Sequence, residues 1–137
     1  MELTEIGTVI SPFKEPADPF KMKKEKSCIE IYPQFADGLL RLEESEYIHV
    51  IFGFHLSEGY TLQHNNYWGE FKGVFAACSP RRPSPLGLTA VRLLGIEENI
   101  LRVQGLDAVH GSPVFDLKPY IPLSEGDRRQ GLAVRDQ

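Results

Sequence analysis

The stretch best equipped for chemistry is Ser79-Pro80-Arg81-Arg82-Pro83-Ser84-Pro85-Leu86-Gly87, where three prolines frame two adjacent arginines. Proline fixes φ and lacks the backbone donor, so this segment is expected to be a stiff loop outside any regular ladder. Such a loop suits phosphate or carboxylate recognition, because arginine offers a fixed fork of donors and little conformational freedom is lost on binding. Arg81 and Arg82 are therefore candidate substrate contacts. The alternative is a solvated connector whose prolines block edge pairing.

A second cluster is Leu106-Asp107-Ala108-Val109-His110-Gly111-Ser112-Pro113, followed by Phe115-Asp116-Leu117-Lys118-Pro119. Asp107 and Asp116 interrupt apolar runs, and a partly buried carboxylate needs a partner. An Asx-turn ahead of Gly111 would supply one for Asp107; a cationic or hydroxyl-bearing ligand would supply another. His49 and His55 lie in one apolar stretch at even spacing, which on a regular strand puts both on one face. No third ligand accompanies them, so no metal site is expected. A core histidine bonded to a backbone carbonyl is one account of the pair; His55, at the end of its strand, is the better candidate for a cleft.

These residues need elements to hold them, and the hydrophobic period predicts mostly strands. Ile6 to Ile10 and Cys28 to Tyr32 alternate. Tyr47 to Leu56 is a nearly continuous β-branched and aromatic run, expected to be the most buried strand. Phe35, Leu39 and Leu42 recur at near-helical spacing after Pro33 and predict one short helix. Ser57 to Lys72 reads as a long loop presenting Tyr60, Tyr67 and Trp68. Gly73 to Cys78, Leu88 to Leu94, Ile100 to Val103 and Val114 to Leu117 complete the strands, with a hairpin turn between Gly95 and Asn99. About seven short strands with little helix predict an all-β barrel or sandwich.

With 137 residues, 42% hydrophobic and 25% charged, the chain is expected to form one domain, residues 1–123, and a polar tail, 124–137. No run is long and apolar enough to span a bilayer and the first residues lack a signal-peptide layout, so the expectation is a soluble cytoplasmic protein. Cys28 and Cys78 stand in no paired or zinc-like spacing and are read as free thiols. A net charge of −4 excludes a surface coated for nucleic acid, yet Lys21, Lys23, Lys24 and Lys26 cluster. The phosphate-loop, dinucleotide, nucleophile-elbow and HExxH fingerprints are absent, which excludes an ordinary Rossmann enzyme.

Taken in order, Gly73-Val74-Phe75-Ala76-Ala77-Cys78-Ser79-Pro80-Arg81-Arg82-Pro83-Ser84-Pro85-Leu86-Gly87-Leu88 resembles the signature of the TsaA-like family, written GVFATRSPxRPNPIG. Ile6-Gly7-Thr8-Val9 with Ser11-Pro12-Phe13-Lys14, Phe52-Gly53-Phe54-His55, and Gly105-Leu106-Asp107-Ala108 through Asp116 to Pro122 resemble further family segments in the same order. The resemblance covers about residues 5 to 122. It implies a compact single-domain β-barrel with at most one or two short helices, a homodimer that binds S-adenosyl-L-methionine near the subunit interface and uses no metal. Bacterial members methylate N6 of threonylcarbamoyladenosine beside the tRNA anticodon. Carried over by motif, the cofactor would touch Lys21, Met22, Phe54, His55, Cys78, Leu88, Leu106 and Asp107; Arg81 and Arg82 would face the substrate. Asp107 or His55 would take the proton lost by the acceptor nitrogen. The chain departs from the pattern at Cys78, where Arg is usual, at Ser84 for Asn, at His110 for Asp, and at Phe20-Lys21 for Arg-Gln. These departures and the net charge leave room for another acceptor, or for a barrel that binds without catalysis.

Overall fold

The computed structural model describes residues 1–121. Six strands close into a barrel: β1 (Gly7–Ile10), β2 (Lys26–Ile31), β3 (Tyr47–Gly53), β6 (Leu86–Glu97), β7 (Ile100–Gln104) and β8 (Pro113–Tyr120). Their order around the barrel is β1-β2-β7-β6-β3-β8 and every pair is antiparallel. The remaining strands, β4 (Gln63–Asn65) and β5 (Phe71–Gly73), form a separate hairpin, and α1 is the single α-helical turn Pro19–Met22.

Alternation along each strand fills the interior. On β6 the residues Gly87, Thr89 and Val91 are buried while Leu88, Ala90 and Arg92 are exposed. Ile48, Val50 and Phe52 of β3 meet them, with Val9, Ile29, Ile31, Leu101, Val103 and Val114 completing the core. Each such side chain contributes about 1.5–3 kcal/mol through burial. Gly87 sits opposite Phe52 in the β3–β6 register, and a Cβ at that position would come within 2.4 Å of the Phe52 ring. Glycine there lets the largest core side chain lie flat against the barrel wall. Register shifts at Ile51/Phe52 against β8 and at Leu93/Gly95 against β7 supply the bends that closure requires. Before β1, Glu5 accepts a hydrogen bond from the Tyr32 hydroxyl; that bond, followed by burial and by the charges of Glu5 and Glu30, raises the phenol above its ordinary pKa.

The all-β class and the barrel agree with the sequence, and several elements differ. Phe35, Leu39 and Leu42 do pack against the core, but from two 3-10 segments, Pro33–Leu39 and Leu42–Glu44, rather than from one helix. Gly38 lies inside the first, and Arg41 between them takes a left-handed φ of 69° that interrupts helical geometry. Gly73 to Cys78 is no strand: β5 ends at Gly73 and Val74–Ala76 makes a 3-10 turn. The loop expected over 57–72 contains β4 and the start of β5. Strand β8 continues through Pro119 to Tyr120, because β1 pairs with it only at Pro113 and Val114, leaving a free edge where proline is tolerated. The expected tail, 124–137, lies outside the described residues. No described helix is long and apolar enough to cross a membrane.

Candidate functional site

The chain leaves β7 through Gly105, at φ 104°, and enters a segment fixed by two buried anchors, Leu106 and Ala108. Asp107, between them, points the other way along the backbone. Its Oδ1 accepts a hydrogen bond from Thr89 Oγ1 at 2.6 Å, from the inward face of β6. Its Oδ2 lies 3.9 Å from Lys23 Nζ, close enough for charge attraction and too far for a hydrogen bond. The Asp107 side chain is 27% exposed, so this oxygen is an accessible acceptor.

Lys23 reaches that position because of α1. Asp18 caps the helix by accepting from the Phe20 backbone N–H at 3.0 Å, and Pro19 follows at the first helical position. Met22 buries its side chain at 3% exposure, and Gln104 donates to the Lys24 carbonyl at 3.1 Å, tying this loop to the end of β7. The structure thus brings Lys23, which follows Lys21 and Met22 in the chain, to Asp107 together with Thr89.

Phe54 and His55 follow the end of β3. The Phe54 amide donates to the Pro85 carbonyl at 2.8 Å, and its ring packs edge-on to Phe52 at 5.3 Å. His55 is exposed in the turn beyond and borders Gly111, where a Cβ would meet His55 Nε2 at 3.6 Å. The shared face expected for His49 and His55 does not form, since β3 stops at Gly53; His49 instead lies edge-on to Tyr120 at 4.7 Å. Among the described residues no three His, Cys, Asp or Glu side chains gather as a metal site.

In the proline-rich loop the two arginines part company. Arg82 is half-buried and donates through Nη1 to the carbonyls of Ala77 (2.8 Å) and Ser79 (3.2 Å), clamping the backbone on both sides of Cys78. Cys78 itself is exposed. Arg81 faces an open pocket of about 500 Å³ together with Glu58, Tyr60, Thr61, His64 and Ser79, in which Ser79 Oγ and His64 Nε2 are 2.8 Å apart. Leu88 is 65% exposed on the outer wall of β6, the opposite face from Thr89, so its side chain does not join the Asp107 group. Asp116 is satisfied locally, by the Leu117 amide at 3.0 Å and by Lys118 at 2.9 Å.

Sequence reasoning missed Thr89 and His64. Thr89 lies 18 residues from Asp107 and no local pattern links them; His64 sits in the stretch read as a long loop presenting Tyr60, Tyr67 and Trp68. Lys23 and Ser79 carried a signal, as members of the basic cluster and of the proline-rich motif. A ligand bearing hydroxyls and an ammonium fits this set. Asp107 Oδ2 is the acceptor that this group leaves open.

A closed six-stranded antiparallel barrel with a partly exposed carboxylate and an arginine-clamped loop defines a small all-β barrel protein. The chain matches the tRNA-methyltransferase O N-terminal domain over residues 8–126, and it belongs to that family. It is 40% identical over 134 residues to a probable S-adenosyl-L-methionine-binding protein of Pyrococcus abyssi, covering 94% of this chain and 72% of that one. It is 43% identical over 119 residues to another from Methanothermobacter thermautotrophicus, covering 84% and 86%. It is 32% identical over 139 residues to the tRNA (adenine(37)-N6)-methyltransferase of Escherichia coli, covering 90% of this chain and 59% of that one. The crystal structure of TrmO from Pseudomonas aeruginosa superposes with a TM-score of 0.71 at 30% identity, over 89% of this chain and 56% of that one. The chain therefore spans little more than half the length of these two bacterial proteins.

Proposed function

We infer that this protein is an S-adenosyl-L-methionine-dependent methyltransferase that modifies tRNA at N6 of an adenosine, with threonylcarbamoyladenosine beside the anticodon as the acceptor. It works as a homodimer in the cytoplasm. The observation that carries this reading is the family match over residues 8–126 on a fold that keeps Asp107 half-open beside Thr89 and Lys23.

When bound, the cofactor supplies a methyl carbon already activated by a sulfonium, so positioning accounts for much of the catalysis. Asp107 is suited to positioning, since Thr89 fixes one of its oxygens and the other is free to orient a hydroxyl or an ammonium. His55, exposed beside Gly111, is the better acceptor for the proton lost by the methylated nitrogen, because it is accessible and imidazole is the commonest general base. Support for a homodimer comes from the hairpin, where Leu62, Phe71 and Phe75 line an apolar groove of about 790 Å³ at 61%, 67% and 79% exposure; such patches mark interaction surfaces. Two free cysteines suit a reducing compartment.

Calorimetric titration with S-adenosyl-L-methionine, followed by transfer of a labelled methyl group to tRNA with and without the threonylcarbamoyl group, tests the reading. Saturable binding at one site per subunit and labelling of the modified tRNA alone are the expected results. Binding without transfer to either tRNA would move the activity to another acceptor, which the net charge of −4 would suit. No binding at millimolar cofactor, an affinity weaker than about −4 kcal/mol, would reject a methyltransferase.

A further inference from the structure

Three aromatic rings stand together in water beside the basic loop. Phe20 on α1, and Tyr67 and Trp68 in the turn between β4 and β5, are 57%, 63% and 69% exposed. Their centroids are 6.3 Å apart for Phe20–Tyr67, 6.5 Å for Phe20–Trp68 and 5.6 Å for Tyr67–Trp68, all edge to face. Edge-on contacts hold the rings against one another while leaving ring faces open. The turn is closed by Asn66, whose Oδ1 accepts from the amides of Trp68 (3.0 Å) and Glu70 (2.9 Å) and whose amide donates to the Glu70 carbonyl at 2.8 Å. Gly69 completes it at φ 80°. Trp68 is therefore presented outward by a hydrogen-bonded turn, at the cost of a large apolar surface left in water.

Charge around the rings runs against that of the chain. Segments 18–26 and 63–73 carry Lys21, Lys23, Lys24, Lys26 and Lys72 against Asp18, Glu25 and Glu70, net positive in a chain of net −4. Lys23 and Lys72 have acidic partners; Lys21, Lys24 and Lys26 form no salt bridge among the described residues. Aromatic faces flanked by unpaired cations suit a polymer of flat bases joined by phosphates, since every base has a face to stack and every linkage a charge to neutralise. An apolar protein partner would draw no advantage from the lysines.

We propose that Phe20, Tyr67 and Trp68 form a stacking platform for an unpaired base of the RNA acceptor, with Lys21 and Lys24 on the neighbouring phosphates. The identity of the RNA rests on the proposed function; the platform does not. Its position fits, because Phe20 directly precedes Lys21 and Met22, and Lys23 reaches Asp107. A base stacked there lies at the rim of the group proposed to hold the methyl donor, where an acceptor must arrive.

Trp68 is the only tryptophan in the chain, so its fluorescence reads the platform directly. The full chain is titrated with a single-stranded RNA heptamer at low salt and, separately, with S-adenosyl-L-methionine alone. The RNA is expected to quench Trp68 saturably and the cofactor to leave it unchanged. Phe20→Leu and Tyr67→Leu should each weaken binding of a labelled heptamer by about 5- to 150-fold, and Lys24→Ala should reduce the salt slope by about one. Equal quenching by the cofactor alone would assign the rings to its adenine and overturn the proposal. A Trp68 signal that changes with protein concentration alone, and is lost in Phe20→Leu, would assign them to a second copy of the chain. Quenching by RNA without methyl transfer would leave the platform standing and remove the proposed activity. Methyl transfer to tRNA unaffected by both leucine variants, with no quenching, would do the reverse.

Discussion

Thr89 and Asp107 are joined across 18 residues by a hydrogen bond of 2.6 Å, from the inward face of β6 to the segment leaving β7. The hydroxyl holds one carboxylate oxygen and so decides where the other points. Thr89→Val keeps the shape and removes the donor, which costs about 1–3 kcal/mol for a half-buried polar group. It should weaken S-adenosyl-L-methionine binding at least about 5-fold in calorimetry and lower the thermal midpoint. Asp107→Asn should lose binding and activity while melting within a few degrees of the parent. An Asp107→Asn protein that binds normally and melts much lower would make the carboxylate a turn-forming group only.

Gly87, two residues before Thr89 on the inward face of β6, stands opposite Phe52 of β3. Gly87→Ala drives a Cβ into the ring of a side chain that is 1% exposed. Overpacking of this kind costs about 1–3 kcal/mol, read as a lower midpoint in thermal unfolding. Adding Phe52→Leu should recover part of the loss; no recovery would place the strain in the backbone instead.

Arg81 and Arg82 should separate by experiment. Arg82→Ala releases the Ala77 and Ser79 carbonyls and should speed amide exchange across residues 77–84, with tRNA affinity falling as a consequence. Arg81→Ala should leave exchange unchanged and lower tRNA affinity, with a salt slope reduced by about one if it meets a phosphate. Identical exchange in the two variants would discount the clamp.

Tyr32 gives a pH signature. Its phenol titrates above the ordinary value in the folded state because it donates to Glu5. The neutral form is thus favoured by folding: this contribution is fully present below the unfolded value, about 10, and is lost as pH rises through the folded one. In an ultraviolet titration Tyr32 should ionise above the ordinary phenol range, and Tyr32→Phe should delete that step. The stability gap between parent and Tyr32→Phe should close as pH rises past about 10.

Much of the molecule was legible from residues alone, wherever the determining information is local. Alternation in Ile6 to Ile10, Cys28 to Tyr32 and Leu88 to Leu94 specifies strands, since the two faces of a strand are set by neighbouring residues. The ordered motifs identified the family, and the carboxylate at Asp107 announced a need for a partner. What closure of the barrel alone decided was who that partner is. Thr89 meets Asp107 because Arg92 of β6 stands opposite Gln104 of β7, so the chain leaving β7 runs back alongside β6, and the alternation along β6 turns Leu88 outward. Arg82 faces its own loop because the backbone folds back on it, leaving Arg81 in the pocket. Phe20 finds Tyr67 and Trp68 because a short helix and a distant hairpin arrive at one place. Periods of two are written into adjacent side chains; contacts between residues tens of positions apart exist only once the strands have paired and the ring has closed.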